Sequence, residues 1–157
     1  MPTDPPTASA SRIRQVEAIS HGTVIDHIPA EVTLKVANLL GAPDDVMSIG
    51  INLRSNRVGR KGVVKIANRE LTEALLSRLA LLAPGATVAI IRNYEVVGKH
   101  TVPVPTRIEA IAKCANPNCV TNHEKWPTRF DVVGKEPLTV RCTYCERSFA
   151  ASELTLV

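Results

Sequence analysis

All four cysteines of this chain sit near one end, at Cys114, Cys119, Cys142 and Cys145. Two short loops, CANPNC and CTYC, carry them. The spacing is C-x4-C, a gap of about twenty residues, then C-x2-C, a pattern of metal ligands. Each loop lets two sulfurs converge on one point. Two such loops complete a tetrahedron of thiolates, the closed coordination of structural zinc, and one Zn2+ per chain is expected. A segment of about fifty residues cannot build a large core, and a metal substitutes for it. In zinc-finger peptides such binding contributes roughly 10–16 kcal/mol of folding free energy. His123 lies near the first loop, but four thiols fill the shell, so it reads as a surface residue or one just outside the ligands. Iron in place of zinc is an alternative that the spacing leaves open. Free thiols or two disulfides are another.

The start of the chain, MPTDPPTASASR, has no basic n-region and no apolar h-region, so no secretory signal is expected. That points to a reducing, cytoplasmic location, where paired thiols favour a metal over disulfides. Its Pro, Ser, Thr and Ala content suggests a loose arm over 1–14. No run of about 18 apolar residues occurs, so no membrane span is expected.

The remainder reads as alternating strands and helices. RQVEAI and HGTVIDHI are strand candidates. PAEVTLKVANLLGAP changes period, with Val32, Val36, Leu39 and Leu40 on one helical face, Pro29 in the first turn and Gly41 at the end. In DDVMSIGINLRSN, Met47, Ile49, Ile51 and Leu53 share one face of a strand. GVVKIANREL puts Val64 and Ile66 on one face and Lys65 on the other. TEALLSRLALLAPG is a second helix, with Leu75, Leu76, Leu79 and Leu82 inward, Thr72 as N-cap and Pro84-Gly85 as stop. ATVAIIRNYEVVGKHTV supplies one long or two short strands, kinked near Asn93. The order fits an α+β fold: an antiparallel sheet covered by two helices, ferredoxin-like, then a small antiparallel β zinc domain. The expected divisions are 15–101, a proline-bearing connector over 102–108, and 109–157.

No Walker loop, GxGxxG, Ser-His-Asp or Cys-His arrangement occurs, so no catalytic machinery is expected. A zinc enzyme would need an open metal position, which four thiolates do not leave. The net charge of +4 admits anionic partners. Aromatics make up 3 %, too few for stacking platforms, and the zinc-bearing end has no basic stripe, so no nucleic-acid partner is expected. Instead Asp26, His27, Lys65 and Lys99 are candidates for an anion pocket at a sheet margin, provided that their strands are neighbours.

Five stretches together, VEAISHGTVIDHIPAE, GRKGVVKIANREL, ATVAIIRNYEVVGKHTVP, CANPNC and VRCTYCERSFA, resemble the family of aspartate carbamoyltransferase regulatory chains. The likeness runs in order from about Gln15 to about Leu154. It implies a non-catalytic subunit: an allosteric domain that binds nucleotides, typically CTP and ATP, and a zinc domain that docks on the catalytic chain. Regulatory chains of the family pair through the sheets of the allosteric domain, and three such dimers join two catalytic trimers. The nucleotide site then falls on Val16, Glu17 and Ile19 beside the base, Asp26 and Lys65 beside the ribose, and His27 and Lys99 at the phosphates. Tyr94 would meet the base through its backbone, and Val96 would line the same pocket. Cys114, Cys119, Cys142 and Cys145 match the zinc ligands. One position departs from the family pattern: Ala89 stands where an asparagine is usual.

Overall fold

The computed structural model describes residues 16–157 apart from Val58. The arm expected over 1–14, and Arg14 and Gln15 of the RQVEAI strand, lie outside the described residues. The N-terminal unit is a five-stranded antiparallel sheet in the order β2-β3-β1-β4-β5. Its strands are β1 (Gly22–Pro29), β2 (Met47–Ser55), β3 (Gly59–Ala67), β4 (Thr87–Arg92) and β5 (Glu95–Thr101). Helices α1 (Thr33–Leu40) and α2 (Glu73–Leu82) cover one face. The first four strands and two helices have the ferredoxin-like arrangement, and β5 extends one edge.

The period of each strand explains which side chains meet the helices. Ile25, Val64 and Val88 stand opposite one another on β1, β3 and β4 and are buried with Val36, Leu40 and Leu79 of the helices. Alternate residues of the same strands therefore point to the other face, which no helix of the described residues covers. Helix α2 starts as expected, with Thr72 Oγ1 accepting from the Leu75 amide at 3.4 Å. The turn after β4 uses Asn93 and Tyr94, both at positive φ (51° and 65°), so the long segment folds as a tight hairpin of two strands.

Three local expectations are corrected. Val16 to Ile19 form no strand; this stretch pairs with no ladder and instead contacts the open face. Pro29 does not open the helix. It is the last residue of β1, paired with Lys61, and a 3-10 turn (Ala30–Val32) precedes α1. The face shared by Met47, Ile49, Ile51 and Leu53 is broken by a register shift between Gly50 and Leu53, where Asn52 adopts φ 60°. Met47 and Ile49 oppose Ile66 and Val64 on the helix side, whereas Leu53 opposes Lys61 on the open side. A similar shift between Ile25 and Ile28, with His27 at φ 59°, returns Ile28 to the core.

The C-terminal part is a four-stranded sheet, β10-β9-β8-β6, and a two-stranded one, β11-β7. The strands are β6 (Arg107–Glu109), β7 (Ala112–Lys113), β8 (Arg129–Lys135), β9 (Leu138–Cys142), β10 (Ser148–Ala150) and β11 (Thr155–Leu156). Its core holds Ile108, Phe130, Leu138 and Val140 together with Cys114, Cys119 and Cys142. Leu81 of α2 turns away from its own unit and is buried in this second core. No helix of the described residues is long and apolar enough to cross a membrane.

Candidate functional site

The first candidate is the cysteine cluster. The Sγ atoms of Cys114, Cys119, Cys142 and Cys145 all lie within 4.8 Å of one another. Cys114 and Cys145 are 3.7 Å apart, and Cys119 and Cys142 are 3.8 Å apart. Each loop is shaped by its own backbone. The Cys119 amide donates to the Asn116 carbonyl at 3.0 Å, and the Asn118 amide donates to Asn116 Oδ1 at 3.1 Å. Asn122 Nδ2 donates to the carbonyls of Cys114 and Asn116 at 2.9 and 2.8 Å, tying the loop shut. In the second loop the Glu146 amide donates to the Cys142 carbonyl at 2.9 Å, with Glu146 at φ 60°.

Burial pushes the thiols of Cys114 and Cys142 above their ordinary value. Burial also opposes ionisation of Cys145, but hydrogen bonds, first from the Arg147 amide, bring it to about 7. Four thiolates packed this closely require a cation among them. A tetrahedron with metal–sulfur bonds of about 2.3 Å has edges of about 3.8 Å, which the two Sγ pairs match. His123 is outside the cluster; its Nε2 is 2.8 Å from the Pro117 carbonyl, at the surface.

The second candidate is a cavity of about 420 Å³ on the uncovered face of the first sheet. Lys65, Val24, Ala89 and Lys99 form one row across β3, β1, β4 and β5. Two lysines thus flank a small apolar floor. Asp26 and Thr87, a further pair on β1 and β4, also line it. Lys61 Nζ lies 2.7 Å from Asp26 Oδ1. Burial raises the Asp26 carboxyl, but the Lys61 hydrogen bond, the His27 amide at 2.6 Å and the charges of Lys61 and His27 outweigh it. Its pKa is held below the usual value.

Of the nine residues expected at one pocket, Val16, Asp26, Lys65, Val96 and Lys99 line this cavity. Val16 lies over Gly50, where a Cβ would come within 2.6 Å of Val16 Cγ2 and 2.8 Å of Leu53 Cδ1, so a larger residue there would displace these side chains. Glu17 contributes its carbonyl, which accepts from Lys65 Nζ at 2.7 Å. His27 stands beside the cavity, with Nδ1 3.0 Å from Thr87 Oγ1. Ile19 and Tyr94 are not brought into the lining. Tyr94 is 70 % exposed in the β4–β5 turn, and its amide donates to the Ser20 carbonyl at 3.0 Å. Sequence reasoning missed Arg54 and Lys61, which line the cavity from the β2–β3 hairpin. The basic stretch RSNRVGRKG was the signal, but it reads equally well as a solvated turn.

Comparison with known proteins covers both units. Residues 14–103 match the family model described as aspartate carbamoyltransferase regulatory chain, allosteric domain. Residues 106–155 match that described as the metal binding domain of the same chain. The chain is 49 % identical over 144 residues to the aspartate carbamoyltransferase regulatory chain of Pyrococcus horikoshii, covering 89 % of this chain and 95 % of the relative. It is 47 % identical over 135 residues to that of Thermococcus sibiricus, covering 85 % and 90 %. It is 43 % identical over 145 residues to that of Bacteroides thetaiotaomicron, covering 91 % and 95 %.

Proposed function

We propose, because this chain belongs to the family of aspartate carbamoyltransferase regulatory chains, that it binds nucleoside triphosphates, CTP and ATP, in the open-face cavity and controls a catalytic chain docked on its metal-bearing unit. The chain is a regulatory subunit with no catalytic role of its own. The observation that carries the reading is the convergence of Lys65, Lys99, Asp26 and Val16 on one concave face.

In this reading Lys99, with His27 near Thr87, takes the phosphates, since lysine ammonium groups form charge-assisted hydrogen bonds to phosphate oxygens. Asp26 and Lys65 face the ribose, the carboxylate accepting from its hydroxyls. Val16 and Val96 cover the base, and the backbone from Glu17 to Ile19 and at Tyr94 meets its edge. The ion in the cysteine cluster is Zn2+, held by Cys114, Cys119, Cys142 and Cys145. It supplies a structural cross-link and no reaction, since four thiolates leave it no open position. That staple shapes the surface that holds the catalytic chain.

Self-association follows the free edge of the first sheet. β2 ends the sheet, and Ile49 and Ile51 on it are 43 % and 39 % exposed. A strand whose outer edge pairs with none of the described residues, and which exposes apolar side chains, suits a second copy of the same strand. Three such dimers would join two catalytic trimers in the cytoplasm, at an early step of pyrimidine synthesis.

An effector shifts the assembly only by binding its two states differently, typically by about 1–3 kcal/mol. CTP favours the less active state and ATP the more active one. The test is the aspartate-saturation curve of the enzyme reassembled from this chain and its catalytic trimers. CTP should move the curve to higher aspartate and ATP to lower. Curves that superimpose with and without CTP would contradict the proposal. Metal analysis of the purified chain should find one zinc for each four cysteines; iron would contradict the assignment.

A further inference from the structure

We propose that the groove between the two units is a second binding site, for a small amphipathic anion with an apolar body and one carboxylate. The groove lies on the helix side of the first sheet, away from the open face. Its cavity of about 580 Å³ is bounded by α1 and the turn before it, by the end of α2, and by the C-terminal stretch from Ala151 to Leu156. Sites for small ligands have volumes of about 300–1,000 Å³, are lined mainly by apolar side chains and favour the junction of two units.

The walls belong to different cores. Val32, Leu39 and Leu82 pack against the core of the first unit. Leu81, Leu154 and Leu156 belong to the core cluster of the second. All six line the cavity. Water against these walls finds few polar partners, so an apolar body gains by displacing it. A ligand seated there touches both cores at once and ties the units together.

The polar groups set the sign of the charge. Lys35 and Asn38, three residues apart on α1, line the same wall. Lys35 is the only charged residue of α1, and it is exposed. Neither side chain has a hydrogen bond or ion pair among the described residues. Glu153 is the only acid in the lining, and its Oε2 accepts from the Ala150 amide at 2.7 Å. That bond holds the carboxylate against its own 3-10 turn (Ala151–Glu153), where it forms no ion pair with Lys35. One ammonium and one amide donor beside an apolar wall suit a carboxylate head. A polyphosphate would find no second cation here, whereas Arg54, Lys61, Lys65 and Lys99 gather in the open-face cavity.

The experiment is calorimetric titration of the zinc-loaded full chain with octanoate and with octanamide, its neutral isostere, both kept monomeric in solution. Octanoate should saturate one site per chain and bind about two- to fivefold more tightly than octanamide, the range of an exposed ion pair. Lys35→Gln should remove that preference while leaving the affinity for octanamide and the unfolding midpoint of the chain unchanged. Lys99→Ala, in the open-face cavity, should change neither affinity. No binding by the folded chain, equal affinity for the two ligands, or a preference that survives Lys35→Gln would overturn the proposal. Octanoate binding lost with Lys99→Ala would place the carboxylate on the open face and overturn it too.

Discussion

The two units of this chain are held together by different means. In the first, a sheet and two helices enclose Ile25, Ile28, Val36, Leu40, Val64, Ile66 and Leu79, all fully buried. Burying each such side chain contributes about 1.5–3 kcal/mol, so this unit has a core of its own. In the second, short strands enclose few large apolar residues, chiefly Phe130, Val140 and Ile108, and three of the four cysteines belong to the same buried cluster. Packing sustains the first unit, and cross-linking through an ion sustains the second. A ligand cavity can therefore open on one face of the first sheet, whose other face alone carries the core.

The largest expected effect separates the two directly. Cys142→Ala, or removal of the metal by a strong chelator, should unfold the chain beyond about residue 107, because roughly 10–16 kcal/mol of binding free energy is lost. Residues 16–101 should stay folded and keep the open-face cavity. Hydrogen exchange would show this as protection lost in β8 and β9 and retained in β1 and β3. Loss of protection in both units would break the contrast.

A smaller effect tests where the units meet. Leu81 leaves the helix face that its neighbours Leu79 and Leu82 use and is buried in the core cluster of the C-terminal unit. Leu81→Ala should cost about 2–5 kcal/mol, as large-to-small changes in a core do. Denaturant unfolding should show the loss in the C-terminal transition more than in the N-terminal one. Equal losses in the two transitions would mean a single shared core.

The smallest effect is a pH dependence confined to the first unit. Asp26 is held below its ordinary value in the folded chain, so the unfolded chain binds more protons near that value. The stabilisation is present above the ordinary pKa of about 3.9 and is lost as pH falls through the lower folded value. Asp26→Asn should flatten the acid limb of stability. Denaturation midpoints measured between about pH 3 and 7 would check this. An acid limb as steep in the variant as in the parent would assign the dependence to other carboxylates.

The same contrast governs how far each region could be read from sequence. The cysteine loops are local: ligands separated by only four or two residues must converge, and the Asn-Pro turn between Cys114 and Cys119 makes them do so. The strands and helices around Ile25, Val64 and Leu79 were legible for a related reason, since period reveals the buried face. The cavity is not local. Lys65 and Lys99 flank one floor only because β1 and β4 lie between their strands in register, and no spacing in the chain reports that. The shifts at His27 and Asn52 were hidden as well, because a single residue at positive φ reverses the faces of the strand residues C-terminal to it. Val16 to Ile19 alternate like a strand, yet no ladder holds them: Lys65 Nζ bonds to the Glu17 carbonyl, Val16 lies over Gly50, and the Tyr94 amide bonds to Ser20 just beyond.

The most direct test of the central claim is calorimetric titration of CTP into the zinc-loaded chain and into its Lys99→Ala variant. A charge-assisted hydrogen bond to phosphate contributes about 1.5–3 kcal/mol, so the variant should bind roughly ten- to a hundredfold more weakly, with its unfolding midpoint unchanged. Binding that survives the substitution intact would place the ligand elsewhere and contradict the account.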